Sequence, residues 1–390
     1  MRFIKYVAIS TLAAIILLTL ATSCAPTAPK SSVKIGLLLD FSGMGGADIG
    51  PYHKEGVELK LDEVGYQVAG RKIELIIEDN AGDPALGAQK AKKLVEADKV
   101  DAVIGPVWAH VASATAPIFA EAKIPQFLCV GEPVDIMKLS AGNLYWPRGT
   151  HCASSYYSGV YAAGVLGYRT AVVLHDDFST GQNQVQGFTG GFTENGGTIV
   201  QTIKTPLGTF DFAPFVSQIE EADVLAIWII PTELPVFYKQ YYEFGLNMPI
   251  MYTYLQAWDE LWQPVGDNCL GTIGQVTWSS DIDNEVNKQF LEAFESKYNK
   301  PANMFHETGY ALTSVILDAL EATNGDATPD KINGVLKQMS FDVPEGKISF
   351  TPEGVGIGDE FIVKVVKENN IYQTETIKVY EDVVRKAPWE

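Results

Sequence analysis

Residues 72–106, KIELIIEDNAGDPALGAQKAKKLVEADKVDAVIGP, decide the fold because they combine a strand, a helix and a second strand in one short segment. The apolar runs at both ends are typical of strands that a parallel sheet buries on both faces. Asp83 and Pro84 predict a helix start, since Asp caps the first free amides and Pro suits the first turn. The inner face of that helix is apolar at helical spacing, with Ala88, Ala91, Leu94 and Val95. This strand-helix-strand unit is the repeating element of doubly wound α/β folds.

The alternation of strands and helices extends on both sides of this unit and then begins again. VKIGLLLD (33–40) precedes it as an apolar strand, and residues 112–131 follow it as a helix and a strand. From residue 168, YRTAVVLHDD starts a second series that continues to PIMYTY (249–254). One predicted helix of this series, residues 211–222, turns four apolar side chains inward, at Phe212, Phe215, Val216 and Ile219. We therefore predict two doubly wound parallel-sheet α/β domains, a number that suits a chain of 390 residues.

The charge of the chain excludes one large class of partners. The formal net charge is −19, from 29 basic and 48 acidic residues. A surface that binds nucleic acid needs basic side chains to neutralise phosphates, and an anionic membrane repels an acidic face. We therefore expect no nucleic-acid partner and no adhesion to a membrane through charge.

The first residues have the organisation of an export signal. Arg2 and Lys5 precede a long apolar segment, and LATSC (20–24) resembles a bacterial lipobox. We expect residues 1–23 to be a lipoprotein signal peptide and residues 24–32 to be a tether rich in Pro and Ser. Lipidation of Cys24 would then anchor the protein to the cell membrane, outside the cytoplasm. The alternative is an uncleaved membrane helix at the N-terminus.

Enzyme and metal chemistry find little support in the sequence. The sequence contains no GxSxG, no GxxxxGK[ST], no HExxH and no GxGxxG that opens a helix. His175, Asp176 and Asp177 are residue types that bind metals, but adjacent strand residues point to alternate faces, so loop hydrogen bonds are the alternative. We predict no catalytic residues, no metal site and no cofactor.

The loop GPVWAH (105–110) is the strongest candidate for ligand contact. In open α/β sheets, ligands bind beyond the carboxyl ends of the strands, and this loop follows a predicted strand. It presents Trp108, Ala109 and His110 there. A lid packed on a neighbouring helix is the alternative for Trp108, and a structural role is the alternative for His110. Arg148, where the first series gives way to the second, could bind an anionic ligand group or form an internal ion pair at a hinge.

From about residue 33 to residue 380 the chain resembles type I periplasmic solute-binding proteins, in the leucine/isoleucine/valine-binding branch of ABC transporter components. The stretches that carry the resemblance are VKIGLLLDFSG (33–43), residues 78–106, HDDFSTGQ (175–182), DFAPFVSQI (211–219) and GYALTSVILDAL (309–320). The resemblance implies two Rossmann-like domains joined by three hinge strands, with the ligand in a cleft between them. Lobe I would comprise residues 33–149 and 278–360, and lobe II residues 150–277 and 361–390.

The resemblance also implies where a ligand would bind and what the protein would do. The implied contacts in the first lobe and at the hinge are Ser42, Trp108, Ala109, His110, Gly131, Glu132 and Arg148, and those in the second lobe are Thr180, Tyr254 and Gln256. Several depart from the family's amino-acid site: Trp108 and His110 stand where small hydroxyl residues hold a carboxylate, and Glu132 stands where Thr is usual. The implied function is capture of a small amino acid, amino-acid derivative or organic acid, which is delivered to ABC permease subunits and, through them, to the ATPase. A ligand-sensing module of the same fold is the alternative, followed by an extracellular enzyme.

Overall fold

The computed structural model describes residues 32–43, 49–254 and 259–390. Two residues predicted to be functional, Cys24 and Gln256, lie outside the described residues. Within them, no helix is both long enough and apolar enough to span a bilayer.

The described chain is an α/β protein that contains two sheets. The strands are β1 Ser32–Leu39, β2 Gln67–Val68, β3 Arg71–Asp79, β4 Ala102–Ile104, β5 Gln126–Phe127, β6 Leu144–Tyr145, β7 Thr170–Asp176, β8 Thr198–Thr205, β9 Val224–Trp228, β10 Ile250–Tyr254, β11 Ile273–Val276, β12 Phe341–Val343, β13 Gly346–Phe350, β14 Gly356–Glu368 and β15 Ile371–Val384. The helices are α1 Ile49–Glu63, α2 Pro84–Lys93, α3 Ala109–Ala122, α4 Ala153–Gly164, α5 Ser179–Glu194, α6 Ala213–Val216, α7 Leu234–Glu243, α8 Asp259–Trp262, α9 Glu285–Tyr298, α10 Met304–Ala322 and α11 Pro329–Leu336. A π-helical turn, Leu94–Asp98, extends α2, and short 3-10 turns occur at Val134–Leu139, Pro231–Glu233 and Gly266–Cys269.

The first sheet has six strands in the order β2-β3-β1-β4-β5-β6, and all neighbouring pairs are parallel except β2 with β3. Asp83 caps α2, and its side chain accepts a hydrogen bond from the Leu86 amide at 2.7 Å. The predicted helix start at Asp83 and Pro84 is therefore confirmed. On one face of the sheet, Ile35 of β1, Ile104 of β4 and Val315 of α10 share a core from which water is excluded. Each such side chain contributes roughly 1.5–3 kcal/mol to folding.

The second sheet has nine strands, with β12-β13-β14-β11-β10-β9-β7-β8 in order and β15 paired to β14. Strands β7 to β11 are parallel to one another, and the strands from β12 onward are antiparallel. The fold class predicted from the sequence, two doubly wound α/β domains, is confirmed. Strand β14 is continuous through residue 360, so the predicted boundary between the lobes at that residue falls inside one strand.

The chain passes between the two sheets three times. It leaves the first sheet after β6 and returns after β11 to form α10, which packs on α1. There, a Cβ atom on Gly56 would lie 1.9 Å from the carbonyl oxygen of His306, so the two helix backbones touch. The third passage of the chain is formed by β12 and β13. These strands are hydrogen-bonded within the second sheet, but their side chains Phe341 and Phe350 pack in the core of the first sheet. The three passages bring the two lobes together at one junction.

One helix is shorter than predicted. The sequence predicts a helix over residues 211–222, but α6 spans only Ala213–Val216. The side chain of Gln201, on β8, donates to the carbonyl of Gln218 and accepts from the amide of Glu220. These groups would otherwise join the helical ladder, so a distant strand ends the helix.

Candidate functional site

Trp108 lies at the carboxyl edge of the first sheet, where β1, β4 and β5 end. Trp108 occupies the N-cap position of α3, with an extended backbone. Its indole Nε1 donates a hydrogen bond to Asp40 Oδ2 at 2.9 Å. Asp40 directly follows β1, so the carboxylate of one strand end positions the indole at another. The indole is half-buried against the first core. This packing leaves Trp108 at the edge where α/β sheets bind ligands.

Ala109 and His110 are in the first turn of α3 rather than in the loop that the sequence predicted. The helix starts earlier than residue 112, because the carbonyl of Trp108 already accepts from the amides of Val111 and Ala112. His110 is exposed, and its Nε2 donates to the carbonyl of Gly82 at 2.8 Å. The imidazole therefore braces a loop that follows β3.

Ser42 occupies the loop after β1 and is exposed. Its Oγ donates to Asp79 Oδ2 at 2.6 Å, while Asp79 Oδ1 accepts from the amides of Phe41 and Ala81. The Ser42 hydroxyl thus helps to join two loops at the carboxyl edge.

Glu132 is the most unusual polar residue of this edge. It pairs with Thr150 in a short parallel bridge, and its side chain is only 1% exposed. Neither carboxyl oxygen of Glu132 has a hydrogen-bond partner among the described residues. Burial raises the pKa of this carboxyl well above its ordinary value. Burial therefore favours the neutral form of this carboxyl group, and both of its oxygens have unused hydrogen-bonding capacity.

Glu132 follows Cys129 in the chain, and the amide of Cys129 donates to the carbonyl of Pro106, in the loop that leads to Trp108. Burial raises the pKa of the Cys129 thiol, and the nearby carboxylates of Asp40 and Glu132 raise it further. Asp40 holds the indole of Trp108, so these four side chains belong to one region of the edge. Gly131 lies under the ring of His151: a Cβ atom at residue 131 would be 3.4 Å from His151 Cδ2.

His151 is a second buried group with an unused atom. Its Nδ1 has no partner among the residues that the structure describes, and burial lowers its pKa to about 4. The imidazole is neutral at pH 7. Its backbone amide donates to the carbonyl of Glu132 at 3.2 Å, so the two residues lie on adjacent extended segments.

The second sheet presents aromatic rings at its own carboxyl edge. Phe178 precedes α5 directly after β7, and its ring centroid is 5.5 Å from that of Trp228 at the end of β9. The Nε1 of Trp228 is buried and has no partner among the described residues. Thr180 is half-buried in the first turn of α5. Phe178 and Trp228 are not among the contacts predicted from the sequence, although their positions just after β7 and at the end of β9 were a signal for them.

Tyr254, at the end of β10, connects this edge to the junction of the lobes. It is 9% exposed, and burial raises the pKa of its hydroxyl. Arg148 is close enough to oppose that shift, and it opposes the shift of Cys129 in the first lobe in the same way. Tyr254 also hydrogen-bonds Thr277, to which Arg148 Nη1 donates, and Arg148 directly precedes residues 149–151, with which Glu132 pairs. Tyr254 of one edge and Glu132 of the other therefore lie close to Arg148.

Arg148 itself is saturated by protein groups. Its Nη1 donates to Thr277 and, at 2.7 Å, to Glu345, and its Nη2 donates to Glu307 and, at 2.8 Å, to Thr308. The arginine and both glutamates are buried. This arrangement is the one expected of the alternative, an internal ion pair at the hinge, because the two carboxylates already neutralise the guanidinium.

A second arginine extends this network. Arg385 Nη1 donates to the carbonyl of Pro147 and lies 3.2 Å from Glu345, while its Nε lies 3.1 Å from Glu360. Burial raises the pKa of Glu360 to about 7 and that of Glu307 to about 7. Buried ion pairs therefore connect the segments of the chain that pass between the two lobes.

The acidic side chain at the end of β7, Asp176, also serves the fold. Asp176 accepts from Thr205 Oγ1 at 2.9 Å and from the amide of Ile230 at 2.8 Å, and it lies beside the buried Glu233. Burial, with Asp176 as the second cause, raises the pKa of Glu233 to about 8. Within the described part of the chain, no cluster of three or more His, Cys, Asp or Glu side chains could hold a metal ion.

Comparisons with known proteins agree with this architecture. A family model described as "Periplasmic binding protein" matches residues 32–370. A Leu/Ile/Val-binding protein homolog 6 from Brucella suis is 26% identical over 363 residues, which cover 90% of this chain and 92% of the relative.

Two solved structures extend the comparison. One is a solute-binding protein of an ABC transporter from Rhodopseudomonas palustris in complex with 3,4-dihydroxybenzoic acid. It is 27% identical to this chain with a TM-score of 0.82, and the superposition covers 92% of this chain and 99% of the other. An ABC transporter substrate-binding protein from Sphaerobacter thermophilus has a TM-score of 0.85 and 26% identity, with 91% and 100% covered. The chain therefore belongs to the periplasmic binding protein family, as a type I substrate-binding protein of an ABC transporter in the leucine/isoleucine/valine-binding branch.

Proposed function

We propose that the protein captures a small organic acid or amino-acid derivative between its two lobes and delivers it to the permease by hinge closure. The observation that carries the proposal is that Glu132, at the edge that holds Trp108, and Tyr254, at the edge that holds Phe178, both lie close to Arg148 at the junction of the lobes. Ligand sites of this kind combine apolar walls with a few polar groups that fix orientation. The family model that matches residues 32–370 is that of a periplasmic binding protein, which supports a binding role.

We further propose an aromatic acid as the ligand. Trp108 and the pair of Phe178 and Trp228 offer ring surfaces from both lobes, and flat rings pack well against aromatic side chains. The Rhodopseudomonas palustris relative in complex with 3,4-dihydroxybenzoic acid supports this class. The remaining predicted contacts, Ser42, Ala109, His110, Gly131, Thr180 and Gln256, are proposed as the rim and floor of the same cleft.

The proposal assigns residues 33–149 and 278–360 to lobe I, and residues 150–277 and 361–390 to lobe II. A ligand that binds the closed state better than the open state shifts the population toward closure. Small-angle scattering of the full chain should therefore show a smaller radius of gyration at saturating ligand. An unchanged radius at saturation would argue against closure.

Calorimetry should identify the ligand and the role of Trp108. We expect the full chain to bind benzoate or a hydroxybenzoate, and Trp108→Ala to weaken that binding by roughly 2–4 kcal/mol, as for a central aromatic contact. Trp389→Ala is the matched control, because Trp389 lies 41% exposed near the C-terminus. Equal affinities for the Trp108 variant and the parent would contradict the proposed cleft, and turnover of the bound compound would contradict a pure binding role.

Family membership implies a location outside the cytoplasm. We propose in addition that Cys24 is the lipidated first residue of the mature protein, on the strength of LATSC (20–24). Intact mass measurement after bacterial expression should show a diacylglyceryl group on the parent and none on Cys24→Ser. Cys129→Ser, which changes a buried free thiol, is the control and should keep the modification. An unmodified Cys24 in an intact N-terminus would refute lipidation.

A further inference from the structure

Glu132 has a buried carboxyl group that no described residue satisfies. The side chain is 1% exposed, and both of its oxygens lack a hydrogen-bond partner within residues 32–43, 49–254 and 259–390. Folding rarely leaves such a group unpaired, because burial removes the water that would otherwise solvate it. A ligand that enters the cleft would restore the missing hydrogen bonds.

The backbone around Glu132 fixes the position of this carboxyl group. The amide of Glu132 donates to the carbonyl of Gly149, and its carbonyl accepts from the amide of His151, each at 3.2 Å. Residues 149–151 belong to the first passage between the lobes. Glu132 is therefore attached to the junction, at the same strand edge as Trp108 and Cys129.

The charges nearby decide which ligand group suits Glu132. Arg148, in the adjoining segment, is already engaged by Glu307 and Glu345, and burial raises the pKa of Glu132 well above its ordinary value, which favours the neutral carboxyl group. A ligand ammonium pairs best with an ionised carboxylate, the form that burial disfavours here. A ligand hydroxyl would exchange hydrogen bonds with it, as donor and acceptor, without moving a proton.

We propose that Glu132 is the residue that selects for a hydroxyl group on the ligand, so that the protein prefers hydroxylated aromatic acids to the unsubstituted acid. This inference rests on the proposed function and names the polar group that the ligand must carry. It differs from recognition of an amino-acid ammonium, for which an ionised carboxylate would be needed.

Calorimetry at pH 7 on the full chain tests the proposal with benzoate, 3-hydroxybenzoate, 4-hydroxybenzoate, 3,4-dihydroxybenzoate and L-phenylalanine as probes. We expect at least one hydroxylated acid to bind about 10-fold to 100-fold more tightly than benzoate, the usual effect of one hydrogen bond to a buried polar group. Glu132→Leu should bring this ratio close to one. Glu132→Gln should keep most of it, because an amide also donates and accepts. Glu121→Gln is the control, since Glu121 is exposed on α3 of the same lobe.

The stability of the ligand-free variant gives a second measurement. Glu132→Leu should raise the melting temperature, because it replaces an unsatisfied buried polar group with an apolar one of similar size. A lower melting temperature would show that Glu132 is satisfied within the protein, and would overturn the proposal without any ligand.

The outcomes separate this inference from the proposed function. If the parent binds aromatic acids and Glu132→Leu keeps the preference for a hydroxyl, the inference fails while the proposed function stands. If the parent binds none of the aromatic acids, the proposed ligand class and this inference fail together. L-phenylalanine binding more tightly than the hydroxylated acids would overturn the proposal, if calorimetry in buffers of different ionisation enthalpy also shows release of about one proton per ligand. The group that Glu132 selects would then be an ammonium and not a hydroxyl.

Discussion

Replacement of Arg148 by Met tests whether the buried charges at the junction stabilise the fold. Arg148 binds Glu345 at 2.7 Å and also binds Glu307, and all three side chains are at most 2% exposed. Glu345 still has a second cation, Arg385, at 3.2 Å after the substitution. Glu307 is therefore the carboxyl group most affected by the loss of Arg148. Removal of one partner from a buried ion pair costs roughly 3–5 kcal/mol, because an uncompensated charge stays buried. We expect Arg148→Met to lose that much free energy of unfolding at pH 8.

The same substitution has a pH dependence whose sign follows from Glu307. Burial raises the pKa of this carboxyl from 4.5 to about 7, and Arg148 partly opposes the rise. A carboxyl whose folded pKa is raised contributes stability that is fully present below pH 4.5 and is lost as the pH rises to the folded pKa. Without Arg148 the folded pKa is higher, so the loss continues to a higher pH. The difference between parent and variant should therefore be smaller at pH 6 than at pH 8.

Urea unfolding followed by tryptophan fluorescence and by circular dichroism measures these differences, and coincident curves are needed for a single free energy. Arg169→Met is the matched control: Arg169 is exposed and its Nη1 donates only to the carbonyls of Ala163 and Tyr168, so we expect a loss of about 1 kcal/mol or less. The double variant Arg148→Met, Glu307→Gln should recover part of the loss. The reasoning is refuted if Arg148→Met costs no more than the control at pH 8.

Two further predictions concern stability. Burial first, and Asp176 second, raise the pKa of Glu233 to about 8, so the stability that this carboxyl contributes is lost as the pH rises from 4.5 to 8. Glu233→Gln should therefore become progressively more stable than the parent over that range. Parallel curves of stability against pH for the two proteins would contradict this prediction. Gly149 has a φ of 69° and a Cβ there would lie 2.0 Å from the carbonyl oxygen of Arg385, so Gly149→Ala should cost more than Gly167→Ala, where φ is 76° and the space is open. The control should lose only the roughly 1–2 kcal/mol of a left-handed Ala, and equal losses by urea unfolding would exclude the predicted clash.

Local signals in the sequence were enough for most of the architecture. Buried parallel strands need short apolar runs and their crossover helices need an apolar stripe, so the alternation in residues 72–106 is visible without any tertiary information. The cap at Asp83 is equally local, because its acceptor and donor are three residues apart. The strand edges that carry Trp108 and Tyr254 follow from the same alternation.

Boundaries that depend on distant groups were not predictable. The helix expected over residues 211–222 ends at Val216, because the side chain of Gln201 on β8 hydrogen-bonds the backbone carbonyl of Gln218 and the backbone amide of Glu220. Strands β12 and β13 hydrogen-bond in the second sheet yet bury Phe341 and Phe350 in the first core. No local pattern contains this information, since the partners are remote in the chain.

The sequence by itself determined the fold class and predicted the edge at which a ligand would bind, because both depend on periodicity and on the order of strands and helices. Only the tertiary structure decided which polar groups at that edge are already used. Arg148 and Glu132 looked alike in the sequence, as charged residues near the end of the first domain. Folding brings Glu307 and Glu345, 159 and 197 residues away, onto Arg148, while no described residue pairs with the carboxyl of Glu132. Burial makes that difference decisive, because a buried group without water can be satisfied only by what the fold or a ligand places beside it.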